Sequence, residues 1–305
     1  MFEKIIAVLR GAAVVILNNL WLILWSLLYM LAGPLFMLGG TGLPILYWVA
    51  RGRYFEPDLL WKSPLSFLLG HWQLILYSMA GCLVGFTLFL VVMMFYQAAL
   101  TGAVSRAAAG GAAAVVKLPS AVFWEEGRKR LKASLATATL ASILPLIPSI
   151  FLIILAAFFV TSLSSMFISG NLSISPLLIF LGVSGAFFLL LTVIAGWIAL
   201  FWYRLALCAV CVEELEPGRA MRRSLSFFSE NWPLVLALIA VSIVLSVASW
   251  SFSAPLGLIG GSSRLAGLPG VLLLKLMALP VSMLIGMLLD LWMQAALVVL
   301  FIENR

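Results

Sequence analysis

The sequence contains a stretch of forty residues, 11–50, without a single charged side chain. A helix crosses the roughly 30 Å hydrocarbon core of a bilayer with about 20 apolar residues, so this stretch is long enough to span a membrane. Hydrophobic residues make up 64% of the 305-residue chain and charged residues 10%, which is too little polar surface to coat a soluble domain. The same composition excludes a disordered chain or a disulfide-stapled scaffold. The sequence therefore predicts an all-α integral membrane protein.

Six apolar stretches are long enough to be membrane-spanning helices, in which the backbone satisfies its own hydrogen bonds. We expect a single transmembrane domain, 1–305, built as a bundle of about six such helices with amphipathic helices at the cytoplasmic surface. The predicted spans cover about residues 12–33, 72–104, 135–160, 176–203, 233–252 and 271–302.

Residues 34–50 leave the topology open between a re-entrant segment and a further span. Pro34 and the pair Gly39 and Gly40 are expected to interrupt a helix there. Cytoplasmic segments are enriched in Lys and Arg, and a second crossing before Arg51 would place the basic cluster of residues 106–132 outside. We therefore expect six spans in the cytoplasmic membrane, with both termini in the cytoplasm.

Two basic connectors between spans are expected to lie along the membrane surface. After Pro217 an apolar stripe recurs at helical spacing, with charged side chains on the other face. The stripe consists of Met221, Leu225, Phe228 and Trp232, and the charged face of Arg219, Arg222, Arg223 and Glu230. The first connector, residues 123–132, has a shorter stripe and carries Arg128, Lys129 and Arg130. Such helices anchor a chain at lipid headgroups, and the alternative is that they dock a cytoplasmic partner.

The sequence also contains a weak internal repeat, residues 64–116 against 224–274. Residues 65–76 match 225–236 at several positions, among them Trp72 and Trp232. Duplicated halves are common in transporters, although leucine-rich chains also give such matches by chance.

Loose motifs between residues 60 and 240 carry a family resemblance. They are residues 96–106 at the end of a span, Leu118 and Pro119, Phe123 and Trp124, Gly127 to Lys129, residues 212–214, and Glu230 to Trp232. Together they resemble a broad group of uncharacterised prokaryotic multi-pass membrane proteins, which includes the membrane domain found beside some glycerophosphodiester phosphodiesterases. The resemblance implies a cytoplasmic-membrane protein and assigns no catalytic residue, and this sequence has no soluble phosphodiesterase domain.

The last predicted span contains a carboxyl group, Asp290, with Gln294 one helical turn further on. An ionised Asp at a helix centre costs about 2.5–3.5 kcal/mol on insertion scales, so we expect it to be neutral, paired or lining water. One hypothesis is a substrate or ion path formed by Asp290, Gln294, Asn18 and Asn19. The alternative is a protonated Asp290 that is hydrogen-bonded to Gln294, Asn18, Asn19 or Tyr96 and locks the packing.

Catalytic and cofactor motifs are missing from the sequence. Cys208 and Cys211 form a C-x-x-C at a membrane boundary, but the only histidine, His71, is predicted on the opposite side. The thiols are therefore expected to pack as small hydrophobes. The glycine pairs at 39–40, 110–111 and 260–261 lack the context of a phosphate-binding loop and are expected to be flexible connectors.

Three classes of function compete on these observations. A non-catalytic membrane component that assembles with other subunits is favoured by the two amphipathic connectors. A transporter or permease subunit is favoured by the acid within a span, and an intramembrane enzyme is disfavoured because no catalytic constellation is present. We expect the lipid bilayer as a partner, no cofactor or metal, and no nucleic acid, because no basic stripe lies clear of the apolar spans.

Overall fold

A computed structural model describes residues 2–50, 70–110, 115–169, 176–261 and 269–305 of the chain. Within these ranges the secondary structure is α-helical and contains no strand, which confirms the predicted all-α fold. The helices are α1 (Phe2–Asn18), α2 (Trp21–Ala50), α3 (Trp72–Ala107), α4 (Ala121–Ser169), α5 (Pro176–Val212), α6 (Pro217–Gly261) and α7 (Pro269–Glu303).

Six of the described helices, α2 to α7, are long and apolar enough to cross a membrane. Their apolar portions are Trp21–Tyr47, Trp72–Ala107, Ala121–Ser162, Ile179–Val212, Pro217–Leu245 and Val281–Glu303. The chain is therefore a multi-pass membrane protein. The predicted spans after the first all lie within α3 to α7.

The predicted first span, residues 12–33, has the wrong boundaries. α1 ends at Asn18 and the spanning helix α2 begins at Trp21, so a break divides the predicted span. The physical reason is that the Asn19 side chain makes hydrogen bonds to the backbone that compete with those of a continuous helix. Its Nδ2 donates to the Val15 carbonyl at 3.0 Å, and its Oδ1 accepts from the Leu118 N–H at 2.9 Å.

Residues 34–50 form neither a re-entrant segment nor a further span, since α2 continues through Pro34 and Pro44. The expectation that Pro34 and the glycines would interrupt the helix is wrong. Membrane helices tolerate proline because neighbouring helices and local adjustments satisfy the freed backbone groups. Gly40 is a packing site and not the flexible connector expected from the sequence, since a Cβ placed there would collide with the Gly81 carbonyl of α3.

Residue contacts divide the chain into two compact units. Unit 1 consists of the residues up to Leu131 together with Pro233–Arg305, and unit 2 consists of Lys132–Trp232. In unit 1 α2 packs on α3 and α1 packs on α7, where Trp292 Nε1 donates to the Leu9 carbonyl at 3.0 Å.

Unit 2 contains most of α4, all of α5 and the first turns of α6. The Ser134 and Tyr203 hydroxyls share a hydrogen bond of 2.8 Å between α4 and α5. Trp202 Nε1 donates to Ser224 Oγ at 2.9 Å and joins α5 to α6. The bond from Trp202 to Ser224 fixes the second basic connector against its neighbouring helix.

The exposure of the side chains of α3 changes along its length. Its first half exposes large apolar side chains such as Trp72, Tyr77 and Phe86, whereas residues 96–105 are all buried. In a membrane-spanning helix an exposed apolar face is suited to lipid, and a buried one packs against protein. The described polar residues in the buried half are therefore candidates for a site.

α6 is kinked at Asn231, whose backbone has φ −120° and ψ 19°. Asn231 Nδ2 donates to the Phe227 carbonyl at 3.2 Å, and Pro233 follows without an N–H of its own. The kink lies where the sequence places the boundary between the second connector and the fifth span. The predicted repeat includes residues 64–69, 111–114 and 262–268, which lie outside the described residues.

Gly40 and Gly39 provide a matched test of the packing of α2 on α3. We expect Gly40→Ala to destabilise the protein by about 1–3 kcal/mol, because the added methyl group meets the backbone of Gly81. Gly39→Ala adds the same group where no atom lies within 4 Å, and it should leave stability unchanged or slightly raised. Thermal unfolding in detergent measures both variants, and equal midpoints would contradict this account of the helix contact.

Candidate functional site

The buried part of unit 1 is built around the last turns of α3 and α7. We call residues 94–107 of α3 and 287–302 of α7 the buried end of unit 1. Small residues such as Ala98, Gly102 and Ala295 are buried in these segments, and small residues let helix backbones approach closely. Because polar groups are costly to bury without a partner, each polar side chain here needs a physical explanation.

Three polar side chains are buried in this end, and we call them the amide cluster: Gln97, Thr101 and Gln294. All three are at most 2% exposed. Gln294 Nε2 of α7 donates to Thr101 Oγ1 of α3 at 2.9 Å. Gln97 lies one turn before Thr101 on the same helix face. The side-chain oxygens Oε1 of Gln97 and Gln294 are buried, and neither has a hydrogen-bond partner among the described residues.

Asp290 lies on α7 one turn before Gln294, as the sequence predicted, and is half-buried. The structure thus brings Gln294 together with Thr101, which sequence reasoning did not select. The alternative hypothesis pairs Asp290 with Gln294. In the structure the amide nitrogen of Gln294 donates to the hydroxyl of Thr101.

Asn18 and Asn19 do not lie where the hypothesis of a substrate or ion path places them. Asn18 is exposed at the end of α1. Asn19 is buried, and its side chain holds the turn between α1 and α2 to the backbone of Val116 and Leu118. These contacts give Asn19 a structural role and do not bring it to Asp290.

A buried ion-pair triad fixes the first connector. Glu126, at the start of α4, is fully buried, and its Oε2 accepts from Arg130 Nε at 2.6 Å. Arg106, at the end of α3, pairs with Oε1 of the same carboxylate. Gly102 makes room for it, since a Cβ there would come within 2.6 Å of Glu126 Oε2. A carboxylate paired with two arginines is an arrangement in which a buried charge is tolerated.

This triad corrects one residue of the predicted partner surface. Arg130 is only 8% exposed and faces the protein interior, whereas Arg128 and Lys129 are exposed. The physical reason is the i, i+4 spacing of Glu126 and Arg130, which places both on the buried face of α4.

The second connector has three faces where the sequence predicted two. Ala220, Ser224 and Phe227 are fully buried against protein, a stripe that hydropathy alone did not single out. On the predicted apolar stripe Met221 is buried, Phe228 is half-buried, and Leu225 and Trp232 are more than half exposed.

Part of the charged face of this connector is held in ion pairs. Arg219 and Arg222 are exposed, as predicted. Arg223 is half-buried and pairs with Glu213 at 3.2 Å and with Glu230 at 3.8 Å. Arg223 therefore holds the connector to the end of α5 and contributes less to an open surface than the two exposed arginines.

Cys208 and Cys211 are both buried in α5. Across the described ranges, no three His, Cys, Asp or Glu side chains are grouped so that they could hold a metal ion. The two thiols are buried in the protein interior, as is usual for cysteines that pack as small hydrophobic side chains.

Sequence reasoning missed Gln97, Thr101, Glu126 and Arg106. The sequence contains two i, i+4 spacings that place residues on the same face of a helix, Gln97 to Thr101 and Glu126 to Arg130. Which of these faces is buried depends on tertiary packing, so the spacing alone did not separate them from exposed pairs.

Comparison of the chain with family models, with curated proteins and with solved structures gives no match. The resemblance to prokaryotic multi-pass membrane proteins therefore stays a prediction.

Neutralising the buried carboxylate tests the triad. We expect Glu126→Gln to destabilise the protein by about 3–5 kcal/mol, because Arg130 is then left buried without its counter-charge. Glu125→Gln is the matched control, since this exposed neighbour pairs with Arg106 at the surface and should cost about 1 kcal/mol or less. Both are measured by thermal unfolding in detergent, and a Glu126→Gln protein as stable as the control would contradict a structural role for the triad.

Proposed function

We propose that the chain is a non-catalytic component of the cytoplasmic membrane that assembles with partner subunits through its two basic connectors. The single observation that carries the proposal is that each connector is fixed by an ion-pair network while basic side chains next to that network stay exposed. Such a surface is preorganised, and a preorganised surface loses less conformational entropy on binding.

The first connector supports this proposal through the Glu126 triad. Arg130 and Arg106 use their charge on Glu126, whereas Arg128 and Lys129 on the outer face remain exposed. The division follows helical spacing, so one face of the first turns of α4 is anchored to protein and the other exposes Arg128 and Lys129.

The second connector supports it in the same way. Arg223 bridges Glu213 and Glu230, and Trp202 bonds to Ser224 on the buried face. Arg219 and Arg222 remain exposed to an acidic partner or to lipid headgroups. Exposed Leu225 and Trp232 lie on a separate face that is suited to the interfacial region of the bilayer.

The second candidate is a transporter or permease subunit with a polar path near Asp290 and Gln294. The observation that favours it is the amide cluster, whose Gln294 is buried in α7 one helical turn after Asp290. Intramembrane acids are by default candidates for ion or proton pathways.

The proposed orientation places both termini and both connectors in the cytoplasm. In a variant without native cysteines, Lys129→Cys should react with a membrane-impermeant maleimide only after the cells are permeabilised, because most Lys and Arg residues are then on the inner side. Lys62→Cys, which is predicted outside, is the matched control and should react in intact cells. Labelling of Lys129→Cys in intact cells would overturn this orientation and the cytoplasmic surface that depends on it.

Charge reversal tests the proposed surface. Crosslinking in cells followed by purification should recover a defined partner with the wild-type chain, and Arg219→Glu together with Arg222→Glu should reduce its recovery at least tenfold. The matched control, Arg219→Lys with Arg222→Lys, keeps the charge and should keep the partner. Arg223 is left unchanged because its loss would release the connector from Glu213. Equal recovery with the reversed and the charge-conserving variants would contradict the proposal.

A further inference from the structure

The turn that joins α1 to α2 is bonded to the segment that precedes the first connector. Asn19 Nδ2 donates to the Val116 carbonyl at 3.4 Å, and Asn19 Oδ1 accepts from the Leu118 N–H at 2.9 Å. Trp21 Nε1 donates to the Leu118 carbonyl at 3.0 Å. These three bonds fix residues 115–118 against the start of α2, so the turn and the segment present one surface.

The exposed side chains of this surface are three apolar groups and one cation, and we call them the interfacial patch: Leu17, Leu20, Val116 and Lys117. The three apolar side chains are each more than half exposed, and Lys117 is exposed as well. Leu17 and Leu20 lie on either side of Asn19 in sequence, and Lys117 lies between the two residues that Asn19 binds. Clustered exposed apolar side chains mark a surface that contacts a membrane or another molecule.

The bilayer is the partner that the surroundings of the patch favour. Leu24 and Leu28 of α2 follow Leu20 at a spacing of four, and both are exposed. α2 is long and apolar enough to cross a membrane, so its exposed apolar face is suited to lipid. The interfacial patch is therefore continuous with a lipid-facing surface.

Tryptophan side chains indicate the depth of the patch. The rings of Trp25 and Trp124 meet edge to face with centroids 5.1 Å apart, and Trp21 lies 6.1 Å from Phe123 in the same way. Tryptophan is enriched where the hydrocarbon meets the headgroups, because its ring is apolar and its N–H needs a partner. At that depth the ammonium group of Lys117 meets lipid phosphates, and residues 115–120 include no acidic side chain that would repel them.

We propose that the interfacial patch binds an anionic phospholipid, with its three apolar side chains beside the acyl chains and the Lys117 ammonium on the phosphate. Lysine is a common phosphate ligand, and an anionic leaflet attracts lysine side chains near its surface. The inference goes beyond the assembly proposal, because none of the four residues belongs to either connector.

Fluorescence quenching in vesicles tests the depth of the patch. The full-length chain without native cysteines is labelled with nitrobenzoxadiazole at Val116→Cys and reconstituted in phosphatidylcholine and phosphatidylglycerol. A nitroxide at the lipid headgroup should quench this probe more strongly than a nitroxide deep in the acyl chain. Leu35→Cys is the matched control, since this exposed residue lies about 20 Å along α2 from Trp21, and it should show the reverse order. A Val116→Cys probe that neither lipid quenches would overturn the proposal, and is expected if the patch faces water or a protein partner.

The charge is tested in the same vesicles. Nitroxide-labelled phosphatidylglycerol should be enriched about fivefold over nitroxide-labelled phosphatidylcholine beside the Val116→Cys probe, the factor that one lysine contributes near an anionic surface. Lys117→Gln should abolish this preference, and the matched control Lys117→Arg should retain it. Both changes alter an exposed side chain, so thermal unfolding in detergent should give the midpoint of the parent chain. Equal lipid preference in the two variants would overturn the assignment of Lys117 to the phosphate.

Discussion

The carboxylate of Glu126 has no access to solvent, and the positions of two helices follow from that constraint. An ionised carboxyl group in a protein interior is tolerated only with matched charge, and here Arg130 of α4 and Arg106 of α3 supply it. The pairing fixes the first turns of α4 against the end of α3, with Gly102 leaving the space that the carboxylate fills. This arrangement also determines the positions of the exposed charged residues of the first connector.

Unit 1 thus combines two kinds of helix surface in one chain. The early part of α3 presents large apolar side chains to its surroundings, whereas its last turns are buried with Gln97 and Thr101 among small residues. A lipid-facing surface needs only hydrophobicity, but a buried polar surface needs a specific partner for each group. The buried polar side chains that are candidates for a functional site therefore lie where α3 and α7 pack on protein.

Much of the fold could be predicted from the sequence because bilayer thickness sets a length that apolar stretches must meet. The all-α class follows from that length, whereas the first span was placed across the break that Asn19 creates with Leu118, ninety-nine residues away. Gly40 illustrates the same limit, since its role depends on Gly81 in another helix. For the site, Asp290 and Gln294 were identified from the cost of polar groups in a span. The burial of Gln97 and Thr101 and the inward direction of Arg130 depend on helix packing, which periodicity does not specify.

The hydrogen bond from Trp292 to the Leu9 carbonyl joins positions 283 residues apart, whereas unit 2 is one continuous segment between the two parts of unit 1. Domains generally fold as units during synthesis, in order from the N-terminus. Unit 2 can therefore complete its packing while α1 still lacks its partner helix. Because α1 packs on α7, and α7 follows unit 2 in the chain, the contact between these two helices forms only after the segment of unit 2 has been made.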